Sequence, residues 1–121
     1  MPQILLIEDE PNISEAIRFI LSRDGCSVTV LPDGTGALEQ IAAQRPDLVI
    51  LDLMLPGISG LEILSAMRAQ PALADLPVLM LTAKGQGRDR EAAERAGVNR
   101  FMTKPFSNDD MRAAVRALTA R

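Results

Sequence analysis

Several residue types on which protein chemistry often depends are missing from this chain of 121 residues. Histidine, tyrosine and tryptophan are absent, phenylalanine occurs three times, and Cys26 is the only cysteine. The lack of histidine excludes an imidazole base, a zinc–histidine site and a phosphohistidine within the chain. A lone cysteine makes no internal disulfide, so Cys26 is interpreted as a small buried hydrophobe in a reducing compartment. The scarcity of aromatic rings disfavours a platform that stacks nucleic-acid bases or a flavin.

A membrane span and a basic surface are also missing. No apolar run reaches the ~18 residues that a transmembrane helix needs. Residues 1–10 lack the basic start of a signal peptide. The formal net charge of −3 disfavours direct binding to nucleic acid or to anionic membranes. We therefore expect a cytoplasmic protein that contacts neither nucleic acid nor membrane directly.

The composition that remains is typical of a folded domain. Hydrophobic residues make up 47% of the chain and charged residues 24%, which is close to the average for globular proteins. The length suits one core better than two, and no linker or low-complexity tract divides the sequence. We expect a single domain over residues 1–121.

Short aliphatic runs alternate five times with segments of helical spacing, and the runs are Gln3–Ile7, Val28–Leu31, Leu48–Leu51, Val78–Leu81 and Arg100–Thr103. The first helical segment has Asn12 as its expected N-cap and Gly25 as its expected C′ residue. Because parallel strands need crossover connections, this alternation predicts an α/β fold, a doubly wound parallel sheet with helices on both faces. In such folds, ligands bind beyond the carboxyl ends of the strands.

Polar residues stand at those strand ends. Glu8 and Asp9 follow the first run, Asp52 the third, Thr82 the fourth, and Lys104 the fifth. Carboxylates gathered at one edge repel one another unless a cation intervenes, and hard oxygen ligands of this kind suit Mg²⁺. A carboxylate beside Mg²⁺, an ammonium and a hydroxyl is arranged to receive a phosphoryl group.

Four ordered stretches carry a resemblance to a known family: ILLIEDE at 4–10, DLVILDLMLPG at 47–57, LTAK at 81–84 and FMTKPF at 101–106. Over essentially its whole length, the chain resembles the receiver domain of the two-component response regulators. The resemblance implies a five-stranded sheet in the order 2-1-3-4-5 and the role of a signalling switch, not of an enzyme. It also implies two kinds of partner: a sensor histidine kinase or phosphotransfer protein, and a downstream effector or linked output domain.

The same resemblance implies roles for individual residues. Asp52 resembles the phosphoacceptor, Lys104 the lysine that pairs with it, and Thr82 the hydroxyl that swings toward the phosphoryl group. Phe101 resembles the aromatic residue that follows Thr82 inward, and Pro105 a proline that often follows a cis peptide bond.

Mg²⁺ is the cofactor that the resemblance implies. Asp9 and Asp52 resemble its direct carboxylate ligands, and the backbone carbonyl of Met54 completes the share of ligands from the protein. Glu8 resembles the acid that holds a metal-bound water.

Three other interpretations agree less well with the sequence. A haloacid-dehalogenase-like phosphatase requires a second acid two residues after its aspartate nucleophile, where this chain has Met54. A flavodoxin-like FMN carrier requires a hydroxyl- and glycine-rich loop after the first strand, where this chain has the acidic residues 8–10. An unphosphorylated receiver-like scaffold is weakened because every expected switch residue is present.

Overall fold

Five parallel strands form one sheet in the computed structural model, which describes residues 1–83 and 87–120. The strands are β1 (Gln3–Ile7), β2 (Ser27–Leu31), β3 (Leu48–Asp52), β4 (Val78–Thr82) and β5 (Arg100–Thr103). The helices between them are α1 (Pro11–Arg23), α2 (Ala37–Gln44), α3 (Gly60–Ala69), α4 (Gly87–Ala96) and α5 (Asn108–Thr119). The strand order is β2-β1-β3-β4-β5, so the predicted fold and order are confirmed. Lys84, in the third matching stretch, lies outside the described residues.

Helices cover the sheet on both faces, and this explains why the aliphatic runs are continuous. One set of alternate strand residues, which includes Ile4 and Leu6 of β1, joins a core with α1 and α5. The other set, which includes Leu5 and Ile7 of β1, joins a second core with α2, α3 and α4. Successive strand residues point to opposite faces, so a strand buried on both faces needs an apolar residue at every position. Cys26 is buried in the first core, as expected.

The two ends of α1 fit the sequence expectations differently. The helix begins at Pro11 and Glu10 occupies the N-cap position without a side-chain cap, so the prediction of Asn12 as the N-cap is wrong. Proline has no backbone N–H to leave unsatisfied, and its fixed φ suits the first helical position. At the other end, Gly25 follows the C-cap with a φ of +89°, as predicted for the C′ position.

The start of α3 packs tightly against the end of β3. A Cβ added to Gly60 would lie 2.3 Å from the carbonyl oxygen of Asp52 and 3.0 Å from the Cα of Leu53. The backbone N–H of Gly60 donates to the carbonyl of Leu53 at 3.0 Å. Glycine at this position therefore allows the helix to approach the backbone that carries Asp52.

We expect Gly60→Ala to destabilise the protein by about 2 kcal/mol or more, because the new methyl group overlaps backbone that has little room to move. Chemical denaturation measures the effect. Gly87→Ala is the matched control, since a Cβ at Gly87 meets nothing within 4 Å. Equal unfolding free energies for the two variants would contradict the close approach.

None of the helices within residues 1–83 and 87–120 combines the length and the apolar character that a bilayer span requires.

Candidate functional site

The carboxyl ends of the strands bring three charged side chains into contact. Lys104, directly after β5, places its Nζ 2.9 Å from Oδ2 of Asp52 and 2.8 Å from Oε1 of Glu8. Asp52 is the last residue of β3, and Glu8 directly follows β1. Only 3% of Asp52 and 1% of Glu8 are exposed. The convergence that the parallel sheet predicts is therefore present for these three residues.

The backbone holds Lys104 in position above the edge of the sheet. Its N–H donates to the carbonyl of Thr82 at 2.7 Å, which extends the pairing of β4 with β5 by one hydrogen bond. The following peptide bond, to Pro105, is cis, in agreement with the resemblance. Burial acts to lower the pKa of Lys104, but the contacts of its ammonium with the carboxylates of Glu8 and Asp52 outweigh this effect and raise that pKa. The ammonium group is therefore charged at neutral pH.

Both oxygens of the Asp52 carboxylate have a donor. Oδ2 accepts from the ammonium of Lys104, and Oδ1 accepts from the backbone N–H of Met54 at 3.1 Å. These two contacts fix the orientation of a buried carboxylate whose oxygens are available as nucleophiles. Met54 itself is 73% exposed, so its side chain stands in solvent.

Glu8 is a buried acid of the site whose pKa is raised. Its Oε2 accepts from the N–H of Glu10 at 3.2 Å, while Oε1 has the ammonium of Lys104 nearby but no well-directed hydrogen bond. Burial, followed by the neighbouring carboxylate of Asp52, raises the pKa of Glu8 from 4.5 to about 7, against the opposing effect of Lys104. A second cation beside Glu8 would favour its charged form.

Three consecutive acids offer such a cation a set of oxygen ligands. Carboxylate oxygens of Glu8, Asp9 and Glu10 lie within 4.8 Å of one another. Asp9 and Glu10 are exposed, which leaves room for the water ligands that Mg²⁺ retains. Together with the poorly satisfied Oε1 of Glu8, this donor set fits Mg²⁺. The ligand set predicted from the sequence did not include Glu10, although this residue stands in the same uninterrupted acidic run as Glu8 and Asp9.

The remaining candidates lie on β4, which pairs with the strand of Asp52, and on β5, the edge strand beyond it. Thr82 ends β4, is buried, and pairs in register with Thr103. Phe101 on β5 is partly buried and packs against the core formed with α2, α3 and α4. The guanidinium of Arg90, on α4, lies 5.6 Å from the centroid of the Phe101 ring. These contacts connect the edge of the sheet near Asp52 with α4.

The raised pKa of Glu8 predicts a pH-dependent stability in the absence of divalent cations. A carboxyl whose pKa is raised in the folded state contributes stability below pH 4.5, and this contribution is lost as the pH rises through about 7. The contribution of Glu8 to the free energy of unfolding should therefore fall by roughly 3 kcal/mol over that interval. Denaturation in EDTA across this pH range measures the fall.

Glu8→Gln should remove most of that slope, because glutamine does not titrate. Glu15→Gln, which changes an exposed acid on α1, is the control and should retain the wild-type slope. A Glu8→Gln profile parallel to that of the wild type would show that Glu8 does not carry the effect.

Comparison with known proteins agrees with this architecture. Residues 4–116 match the family model described as the response regulator receiver domain. The probable transcriptional regulatory protein TcrX of Mycobacterium tuberculosis is 41% identical over 118 residues, which are 98% of this chain and 50% of TcrX. The DNA-binding dual master transcriptional regulator RpaA of Synechocystis is 40% identical over 121 residues, which are 100% of this chain and 50% of RpaA. The chain spans about half the length of these curated relatives.

Solved structures show the same similarity. A putative response regulator from Chloroflexus aurantiacus superimposes with a TM-score of 0.94 and 33% identity, covering 99% of this chain and 98% of that one. The receiver domain of a sensor histidine kinase from Pseudomonas aeruginosa superimposes with a TM-score of 0.91 and 31% identity, covering 99% of this chain and 98% of that one. That structure holds a magnesium ion in its active-site cleft. The chain belongs to the response regulator receiver domains of two-component systems, a family of signalling modules controlled by phosphorylation.

Proposed function

We propose that residues 1–121 form one receiver domain in which Asp52 accepts a phosphoryl group from the phosphohistidine of a sensor histidine kinase or phosphotransfer protein. The observation that carries the proposal is the setting of Asp52: a buried carboxylate held between the ammonium of Lys104 and the N–H of Met54. Since this chain contains no histidine, the phosphohistidine belongs to the partner.

The two contacts of Asp52 orient its carboxylate for phosphoryl transfer. A carboxylate oxygen of Asp52 attacks the phosphorus atom, an O–P bond forms, and the P–N bond to the donor imidazole breaks. The electron pair of that bond stays with the imidazole nitrogen. Lys104 is placed to exchange its contact with the carboxylate for one with a phosphoryl oxygen, which neutralises charge as the group arrives. Thr82, at the end of the neighbouring strand, supplies a hydroxyl to the same group.

Mg²⁺ is the cation that this site would hold. Asp9 and Asp52 would provide carboxylate oxygens, the carbonyl of Met54 a third ligand, and Glu8 would hold a water on the ion. When bound, Mg²⁺ neutralises phosphoryl oxygens during the transfer. The protein residues hold the acceptor carboxylate in place through the contacts of Lys104 and of the N–H of Met54.

The output surface of the proposed switch comprises α4, β5 and α5. Within the described part of α4, Ala93 is the buried residue, so this helix has a small apolar anchor. Its far end is held by Arg68, whose side chain donates to the carbonyl of Gly97 and to Oδ1 of Asn99, each at 2.9 Å. A shift of Thr82 and Phe101 on phosphorylation would therefore move the start of α4 more than its end.

This surface would act on a downstream effector protein or on an output domain linked to the receiver. The curated relatives, about twice as long as this chain, are named transcriptional regulators, which supports an output domain outside residues 1–121. Nucleic-acid binding would belong to that domain, because this chain carries a net charge of −3. A cytoplasmic location follows from partnership with a cytoplasmic phosphodonor, and the chain acts there as a switch, not as an enzyme with a separate substrate.

Acetyl phosphate and phosphoramidate test the proposed acceptor activity without a cognate kinase. Incubation in Mg²⁺ followed by intact mass spectrometry should show one phosphoryl group per chain. The same incubation in EDTA should show almost no phosphorylated chain, because no divalent cation then balances the negative charge of the acids at this edge. A chain that stays unmodified with both donors in Mg²⁺ would overturn the proposal.

Hydrogen exchange should locate the output surface. With beryllofluoride, which mimics a phosphoryl group, we expect altered protection in residues 87–103 and unchanged protection in the central strands β1 and β3. The control is Asp52→Asn treated in the same way, which should show no change. Unchanged protection across α4 and β5 in the wild-type protein would place the output on another surface.

A further inference from the structure

The loop between β2 and α2, residues 32–36, packs against the loop that follows β3, residues 53–59. Gly34 is buried at this contact. A Cβ added to Gly34 would lie 2.3 Å from Cγ2 of Ile58, 2.9 Å from the carbonyl oxygen of Ile58 and 3.1 Å from Cδ1 of Ile63. The φ of Gly34 lies outside the left-handed region, so this position requires glycine for space and not for its backbone conformation.

The loop between β2 and α2 is anchored at both ends. The carbonyl of Leu31, at the end of β2, accepts from the N–H of Glu8 at 3.0 Å. The carbonyl of Gly34 accepts from the N–H of Ala37 at 3.1 Å, and Ala37 is the buried first residue of α2. A side chain at position 34 would therefore push on the loop after β3. Because one of the overlapping atoms is the carbonyl oxygen of Ile58, a new rotamer of Ile58 would not relieve the overlap fully.

The loop after β3 carries the backbone groups that serve Asp52. The N–H of Met54 donates to Oδ1 of Asp52 at 3.1 Å, and the carbonyl of Met54 is a ligand in the proposed Mg²⁺ site. A backbone hydrogen bond closes the base of this loop, since the N–H of Gly60 donates to the carbonyl of Leu53 at 3.0 Å. The contact of Ile58 with the loop after β2 supports the part between these two ends.

We propose that Gly34 is a positioning residue for the phosphorylation site. By leaving room for Ile58, it allows the loop after β2 to hold Met54 in its contact with Asp52. Gly34 acts through the loop after β3 and not by contact with the reacting atoms. The consequences for Mg²⁺ and phosphorylation rest on the proposed function of Asp52, whereas the consequence for the N–H of Met54 rests on the fold alone.

Amide hydrogen exchange in EDTA tests the positioning without a metal ion or a phosphoryl donor. The N–H of Leu53, which donates to the carbonyl of Leu81 at 2.8 Å, is the internal reference. In Gly34→Ala, the ratio of the exchange rate at Met54 to that at Leu53 should rise about tenfold, which is the loss of about one hydrogen bond. An unchanged ratio in Gly34→Ala would overturn the proposal.

Val28→Ala is the control for a general loss of stability. Val28 lies in β2 and packs in the first core, on the face of the sheet away from Gly34 and Ile58. Its substitution removes two buried methyl groups and should destabilise the protein without moving the loop after β3. The ratio of exchange rates should therefore stay at the wild-type value. A rise equal to that in Gly34→Ala would show that instability alone causes the effect, and would overturn the proposal.

Titration calorimetry with MgCl₂ measures the consequence for the site. Gly34→Ala should bind Mg²⁺ about tenfold more weakly than the wild type, as is common when a group that supports a metal ligand is displaced. Phosphorylation by acetyl phosphate at a fixed, low Mg²⁺ concentration should slow in parallel. Val28→Ala should keep the wild-type affinity. Full Mg²⁺ affinity in Gly34→Ala would contradict the proposed positioning.

Ile58→Ala tests the same contact without creating an overlap, so it decides the question even where Gly34→Ala is poorly folded. It removes the support of the loop and should weaken Mg²⁺ binding by about twofold or more. It also removes the Cγ2 atom that a Cβ at position 34 would meet. Adding Gly34→Ala to Ile58→Ala should therefore cost clearly less affinity than Gly34→Ala costs in the wild type. Full affinity in Ile58→Ala, or equal costs in the two backgrounds, would show that Gly34 does not act through Ile58.

Two results separate the possible failures. If the wild type binds no Mg²⁺ and takes up no phosphoryl group, the proposed function is wrong, and the exchange rate at Met54 still decides the role of Gly34. If the wild type is phosphorylated but Gly34→Ala leaves both the exchange ratio and the Mg²⁺ affinity unchanged, the function stands and the role of Gly34 is wrong.

Discussion

Asp52→Asn should abolish the gain of a phosphoryl group from acetyl phosphate in Mg²⁺. The substitution replaces the buried carboxylate that is held between the ammonium of Lys104 and the N–H of Met54. An amide keeps the shape but lacks the anionic oxygen that attacks phosphorus, so the expected loss is complete within detection. Intact mass spectrometry of both proteins after the same incubation is the measurement.

The fold should survive this substitution, because asparagine fits the same space and because the substitution removes one negative charge from a site that is rich in acids. We expect a free energy of unfolding equal to or higher than that of the wild type. Asp75→Asn is the matched control, since Asp75 is exposed in the connection between α3 and β4, at the edge of the sheet opposite to that of Asp52. Modification of Asp52→Asn at the wild-type rate would place the acceptor elsewhere.

Asp9→Asn should weaken Mg²⁺ binding by about tenfold or more. Asp9 is one of two exposed acids in the group of carboxylates at 8–10, so its substitution does not disturb the core. Titration calorimetry with MgCl₂ measures this affinity without any phosphoryl donor. The rate of phosphorylation at a fixed, low Mg²⁺ concentration should fall in parallel.

Glu10→Gln distinguishes two versions of the metal site. If Glu10 completes the ligand set, its substitution should weaken Mg²⁺ binding as Asp9→Asn does. If Glu10 only adds negative charge near the ion, the loss should be smaller and should shrink at high ionic strength. Full Mg²⁺ affinity in Asp9→Asn would contradict the proposed site.

The sheet was predictable because burial on both faces leaves a simple pattern. Leu48–Leu51 has no polar residue, and only a strand covered by helices on each side tolerates such a run. The helical segments between the runs then required parallel crossovers. Once the strands were parallel, their carboxyl ends had to share one edge, so the meeting of Asp52 with Lys104 followed from topology.

Other features depend on contacts that no local pattern specifies. The N-cap of α1 was misplaced because Asn12 is a strong capping residue by itself, whereas Pro11 already satisfies the start of the helix. The approach of Gly60 to the carbonyl of Asp52 depends on how α3 packs. The contact of Lys104 with Glu8 depends on rotamers, and the raised pKa of Glu8 on the burial that results. Long-range packing decides each of these, and sequence spacing does not encode it.

The central claim is that Asp52 carries the phosphoryl group, and borohydride mapping tests it most directly. Sodium borohydride reduces an aspartyl phosphate to homoserine, and digestion followed by mass spectrometry locates the reduced residue. After phosphorylation of the wild-type protein in Mg²⁺, we predict homoserine at position 52 and unmodified aspartate at position 9. Homoserine at any other position, with aspartate intact at 52, would contradict the account.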